Sequence, residues 1–177
     1  KVINAANENY SRCNIPIPGF AGGPCLSKDG ILLENNTTFS SIVSTAWKVN
    51  ESVPQHIVNN LKEIVGNLYN KKITILGISF KAGSDDLRNS PSVKLSQILK
   101  SLGAKISIHD PYVKDTLPLS EVLKEPEIII LATNHSVFRE KINEIRDSKC
   151  DIIYDVWNLY KNSDFPDSKY YCFGKGL

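Results

Sequence analysis

Apolar positions between Ser40 and Tyr69 recur at three- and four-residue steps: Ile42, Val43, Ala46, Trp47 and Val49, then Ile57, Val58, Leu61, Ile64, Val65 and Leu68. That is the period of an amphipathic helix. Pro54 lacks the N–H that a helix interior uses, so the spacing predicts a kink there or a second helix beginning near Glu51 or Ser52. Trp47 and its neighbours read as helix-packing core. At Lys71 the pattern changes to Ile73-Thr74-Ile75-Leu76, a β-rich run that ends in Gly77. A helical pattern follows, Val93, Leu95, Ile98, Leu99 and Leu102, closed by Gly103 before a second β-rich run, Lys105 to His109. A helix-like stretch from Ser120 to Lys124 precedes Glu127 to Ala132, a continuous apolar run of the kind buried in a parallel sheet. Phe138 to Ile145 reads as helix, Asp151 to Asp155 as a fourth strand, and Tyr170 to Phe173 as a fifth.

Alternating strands and helices predict an α/β fold: an open, doubly wound parallel sheet, preceded by a helical part. Sheets of this kind take ligands outside the carboxyl ends of their strands. Residues 80–88, Asp110, 133–135 and 155–158 fall there.

The bulk numbers change this picture little. Of 177 residues, 41% are hydrophobic and 23% charged, with a net charge of +2, which is ordinary for a globular protein. Lys and Arg are spread along the chain, which argues against a nucleic-acid footprint or a membrane-surface patch. No apolar run reaches the roughly 18 residues that span a bilayer. The first ten residues hold no signal-peptide core, so a cytoplasmic, reducing compartment is the expectation. Cys13, Cys25, Cys150 and Cys172 form no CxxC pair, which speaks against a metal site and against disulfides. The chain opens on Lys1, contains no Met, and begins with what reads as the tail of a helix. It is therefore expected to be a piece of a longer protein.

The candidate chemistry lies in Pro18-Gly19-Phe20-Ala21-Gly22-Gly23-Pro24-Cys25-Leu26-Ser27-Lys28-Asp29. Its glycines admit positive φ angles and close approach of a ligand to bare backbone, and Pro24 suits a first helical turn. A thiol placed there meets unpaired amide donors and the positive end of the helix dipole, which favour the thiolate. Cys25 and Asp29, at i and i+4, share one helical face. The competing reading is a plain glycine turn with a buried structural cysteine. The loop after the first strand, Gly77 to Arg88, lacks the G-x-G-x-x-G fingerprint and is a poor dinucleotide cradle. Lys81 and Arg88 are instead suited to an anion such as a diphosphate, with Phe80 as an apolar contact. Against this stands a solvated loop whose Asp85, Asp86 and Arg88 pair locally.

Three separated segments resemble the UDP-glucose/GDP-mannose dehydrogenases: the glycine loop with its C-x-x-x-D, Leu76 to Lys81 with Asp85 to Pro91, and Gly103-Ala104-Lys105 through His109-Asp110-Pro111. The resemblance implies that residues 1–70 are the latter half of a central dimerisation domain and 71–177 a Rossmann-like UDP-binding domain. The family's N-terminal NAD-binding domain, and the catalytic lysine and asparagine upstream, have no counterpart in the chain. The implied reaction is NAD-dependent oxidation of a UDP-sugar to the uronic acid. In it Cys25 carries a thiohemiacetal and then a thioester, and Asp29 helps water hydrolyse the latter. Tyr10 and Arg12 are implied to reach the sugar, Gly22 and Gly23 to offer backbone donors to the substrate, Phe80 and Lys81 to contact the uridine diphosphate, and Lys28 and Arg88 to lie against the NAD cofactor. A homodimer is implied as well.

The chain departs from the family pattern at two places. Asp155-Val156-Trp157-Asn158 stands where many members have Asp-x-Arg, and Pro24 where glucose enzymes commonly carry serine and N-acetylmannosamine enzymes histidine. Ser27-Lys28-Asp29 leans toward the glucose form. The runs Asn50 to Pro54 and His135 to Arg139, with the spacing from Arg12 to the glycine loop, resemble the N-acetylmannosamine group, the favoured substrate class. His135 itself reads as a capping or surface residue without chemistry. Rival readings are a non-catalytic nucleotide-sugar binding module and a helical dimerisation scaffold.

Overall fold

The computed structural model describes residues 2–9, 12, 15–34 and 41–175, without the side chains of Ser27 and Ser41. Three helices come first: α1 (Val2–Asn7), α2 (Pro24–Glu34) and α3 (Ser41–Val65). The remainder alternates β1 (Lys72–Leu76), α4 (Pro91–Ser101), β2 (Lys105–His109), α5 (Leu119–Val122), β3 (Ile128–Leu131), α6 (Ser136–Glu140), α7 (Ile142–Asp147) and β4 (Ile152–Asp155). A single 3-10 turn, Asn162–Asp164, leads to β5 (Lys169–Cys172). The strands form one sheet in the order β2-β1-β3-β4-β5, and every pairing is parallel.

The period of two within each strand sends alternate residues to opposite faces. Ile73, Ile75, Ile128, Ile130, Ile152 and Tyr154 pack under α3 and α4, whereas Leu76, Ile129, Leu131 and Ile153 pack under α5, α6 and α7. Winding leftward from β1 to β2 uses the α4 face, and winding rightward from β2 to β3 uses the other, as right-handed crossovers require. The doubly wound parallel sheet expected from the sequence is thus present, with all five strands where the β-rich runs place them. Thr74, polar inside β1, spends its hydroxyl on the Val122 carbonyl at 2.7 Å.

Three local expectations are corrected. Of the two outcomes expected at Pro54, a kink or a second helix, the second is not met: α3 runs through Pro54 for 25 residues. Just before it, Glu51 pairs with Lys94 of α4 at 2.5 Å and Ser52 Oγ donates to the Val49 carbonyl. Phe138 to Ile145 is two helices, not one, because Lys141 (φ −93°, ψ 17°) ends α6 and begins α7. Trp47 and its neighbours are not core. Ile42 and Val49 are 79% and 61% exposed, while Ile57, Val58 and Leu61 farther along α3 are fully buried in the sheet's own core. The same apolar face therefore serves two purposes: its second half covers the sheet, and its first half meets α2, with Lys94 of α4 over the Trp47 ring.

Candidate functional site

Pro24 opens α2 and puts Cys25 in its first turn, exposed, with its thiol free. Cys25 and Asp29 line one cleft of about 720 Å³ between α2 and α3, together with Gly22, Trp47 and Asn50. The expected common face is realised, and the buried structural cysteine is excluded. The walls are mostly apolar, with Leu26, Ile31 and Leu33 more than two-fifths exposed and Glu34 and Ser44 as further polar lining.

The glycine loop is shaped by what it presses against. A Cβ at Gly22 would lie 2.6 Å from Pro91 Cδ and 2.7 Å from the Asn89 carbonyl oxygen. Gly23 has φ +106°, and a Cβ there would fall 2.9 Å from the Phe80 ring. Its N–H donates to the Asn89 carbonyl at 3.4 Å. Gly19 lies under the indole of Trp157. From the opposite side Asn50 Nδ2 donates to the Ala21 carbonyl at 2.8 Å. The loop that carries Cys25 is thereby seated on the carboxyl end of the sheet.

The loop after β1 approaches from below. Asp86 grips Arg88 through both carboxylate oxygens, the closest contact being 2.7 Å. That hydrogen bond, followed by the Arg88 N–H, brings the Asp86 pKa from 3.8 down to about 2. The local pairing weighed against a ligand site is therefore present, yet it aims Arg88 rather than silencing it. The guanidinium is 71% exposed, and its pKa is raised by the Asp86 hydrogen bond first and only lastly by the charge of Cys25. Lys81 is also exposed, its ammonium 5.6 Å from the centre of the Phe80 ring. Lys28 and Arg12 are exposed, and Tyr10 lies outside the described residues.

Three contributors were missed from sequence. Trp157 donates its indole N–H to the Ala132 carbonyl at 2.9 Å and roofs Gly19. Asn50 holds the glycine loop. His135, read as a surface or capping residue, does stand at the start of α6 but is fully buried among Asp110, Ser79, Tyr112 and Phe138. The signal available for Trp157 was its departure from Asp-x-Arg, and for Asn50 its place in the Asn50 to Pro54 run.

Residues 74–162 match the model of the UDP-glucose/GDP-mannose dehydrogenase family, UDP binding domain. The chain belongs to the UDP-glucose/GDP-mannose dehydrogenase family. Among relatives of this family, the UDP-N-acetyl-D-mannosamine dehydrogenase of Pyrococcus horikoshii is 33% identical, over 91% of this chain and 40% of its own length. The UDP-glucose 6-dehydrogenase of Rickettsia conorii is 32% identical, over 90% of this chain and 42% of its own. A solved structure of the UDP-D-ManNAc dehydrogenase from Pyrococcus horikoshii superposes with a TM-score of 0.85 at 30% identity, covering 99% of this chain and 44% of that one. The chain thus spans about two-fifths of the length of the family members it matches. Among its described residues no helix is long and apolar enough to cross a membrane.

Proposed function

We propose that this chain is the substrate-holding and thiol-bearing part of an NAD-dependent UDP-sugar dehydrogenase that oxidises a hexose C6 hydroxyl to the carboxylate. The observation that carries the reading is the convergence of Cys25 and Asp29 on one cleft, with Gly22 and Gly23 pressed onto the loop and helix start of the UDP-binding domain. In this reading Phe80 and Lys81 contact the uridine diphosphate. Gly22 offers the sugar bare backbone, and Tyr10 and Arg12 reach the hexose.

Cys25, placed in the first turn of α2, attacks the C6 aldehyde as thiolate to give a thiohemiacetal. At the next oxidation level the same sulfur holds the C6 carbon as a thioester. Asp29, one helical turn on, accepts a proton from the water that hydrolyses it. The sheet has no G-x-G-x-x-G cradle, so its own loops do not fit a whole dinucleotide. Lys28 and Arg88, both exposed, would lie against the nicotinamide nucleotide. A bound nicotinamide dinucleotide supplies the hydride acceptor.

UDP-N-acetyl-D-mannosamine is the favoured substrate, supported by the Asn50 to Pro54 and His135 to Arg139 runs and by the Pyrococcus horikoshii relative. UDP-glucose is the second reading, favoured by Ser27-Lys28-Asp29 and by the Rickettsia conorii relative. Residues 1–70 are proposed as the dimerisation part, since the exposed apolar positions Ile42 and Val49 of α3 suit a second copy, and residues 71–177 as the UDP-binding domain. In the full-length enzyme Cys25→Ser is expected to abolish uronate formation. NADH release through both oxidations in that variant would overturn the mechanism, and a panel of the two UDP-sugars decides the substrate.

A further inference from the structure

His135 accepts a hydrogen bond at Nδ1 from the Gly83 N–H at 3.1 Å. A nitrogen that accepts carries no proton, so the ring is neutral with its hydrogen on Nε2. That hydrogen faces Asp110 Oδ2 at 3.1 Å and Ser79 Oγ at 3.2 Å. Ser79 in turn donates a hydrogen bond from its hydroxyl to the Lys81 carbonyl, also at 3.1 Å. The three side chains are not a nucleophilic triad. In a triad the serine and the carboxylate occupy opposite ring nitrogens, whereas here both sit on Nε2 and the whole group is buried.

The wiring has a different outcome. Through Ser79 and directly, one imidazole ties down the carbonyl of Lys81 and the amide of Gly83, the two ends of a three-residue segment whose first side chain is the exposed Lys81. Asp110 fixes the entry to the same loop by accepting the N–H groups of Ile78 at 2.8 Å and Ser79 at 3.1 Å. The Phe80 N–H closes it onto the Asp86 carbonyl at 3.1 Å. Tyr112 and Phe138 enclose the ring, with centroids 4.9 and 5.6 Å away.

We infer that His135 is a positioning residue for the diphosphate of the substrate: as a neutral Nε2–H imidazole it holds residues 79–83 so that Phe80 and Lys81 are presented in one conformation. This rests on the nucleotide reading given above and assigns that reading a residue which never touches the ligand.

Glutamine can reproduce the Nε2 donor toward Asp110, whereas asparagine can reproduce the acceptor toward Gly83, so the two variants separate the roles. In this chain, His135→Gln should raise amide exchange across residues 80–88 about tenfold and weaken uridine diphosphate binding, read by calorimetry, by a similar factor. His135→Asn, which keeps the acceptor toward Gly83 but loses the Nε2–H toward Ser79 and Asp110, should show a smaller rise and a smaller loss than His135→Gln. Nitrogen-15 shifts of the ring in the unsubstituted chain should report protonated Nε2 and bare Nδ1. A proton on Nδ1 overturns the inference, as does a Gln variant with unchanged loop exchange and unchanged affinity. So does an equal fall in melting temperature for both variants with no change specific to the loop. If the unsubstituted chain binds no uridine diphosphate, the nucleotide reading fails, while the exchange data still decide whether His135 orders the loop.

Discussion

Trp157 covers Gly19 so closely that a Cβ on residue 19 would sit 2.3 Å from the indole Cε3. One residue ends the turn after β4 and the other begins the loop that carries Cys25, so this contact joins the sheet to the thiol. Gly19→Ala forces the indole or the loop to move and is expected to destabilise by about 1–3 kcal/mol in urea melts. Trp157→Ala is expected to cost about 2–4 kcal/mol. With the indole gone the added methyl has room, so the double variant should be more stable than the sum of the two losses by about 1 kcal/mol or more. Strict additivity would show that the two residues do not meet.

The cysteines should differ sharply in reactivity. Cys25 is exposed, whereas Cys150 and Cys172 are buried, and burial pushes both of their thiol pKa values up. Maleimide labelling of the folded chain, mapped by peptide mass, should modify Cys25 faster than either by at least about two orders of magnitude, because the buried thiols react only through opening of the fold. Comparable labelling of Cys150 would mean that the turn leading into β4 opens readily in the folded chain.

Asn50 is expected to act as a strut. Asn50→Ala removes its bond to the Ala21 carbonyl and should cost about 0.5–1.5 kcal/mol. The change should appear as faster amide exchange confined to Ala21, Gly22 and Gly23, with the strands unaffected. Uniform acceleration across the sheet would assign Asn50 to global stability instead.

Leu61 tests whether α3 belongs to the sheet's core. It is fully buried, so Leu61→Ala should lower stability by about 2–5 kcal/mol. A loss below about 0.5 kcal/mol, the size seen for surface changes, would detach the helix from the core.

Acid should weaken the fold in a defined range. Asp86 is held at about 2 by Arg88. Burial works to raise the pKa of Asp110, but hydrogen bonds from His135 and from the N–H groups of Tyr112, Ile78 and Ser79 prevail and leave it well below the usual carboxylate range. Both folded values lie below the unfolded ones, so the unfolded chain binds more protons in between. Their contribution is complete above about pH 4 and is lost as pH falls toward 2 and beyond. The urea midpoint should therefore drop between pH 5 and pH 3, and Asp86→Asn should make that drop shallower. A midpoint flat over the interval would contradict the hydrogen-bonded geometry of both carboxylates.

The strands were legible because parallel strands buried on both faces are mostly apolar, as in Ile128-Ile129-Ile130-Leu131, and are too short between their turn signals to be helices. The Cys25 and Asp29 pair was legible because helical spacing fixes a shared face. Periodicity reveals an apolar face but not what covers it, so the first half of α3 passed for core although only its second half is buried. Contacts between residues far apart in sequence, such as Trp157 with Gly19 or Asn50 with Ala21, leave no local pattern. His135 misled for a related reason: a polar side chain looks like surface until its partners Asp110, Ser79 and Gly83 are assembled around it.

Pro54 has a consequence for motion. A proline inside a helix is the usual place for a bend, yet α3 carries Asn50 against the glycine loop just before it and Ile57, Val58 and Leu61 in the sheet's core just after it. Both sides of the joint are tied to the same body, so a bend at Pro54 that moved the thiol away from the sheet would have to break the Asn50–Ala21 hydrogen bond. An opening at Cys25 that spares this bond has to displace something other than these two parts from each other.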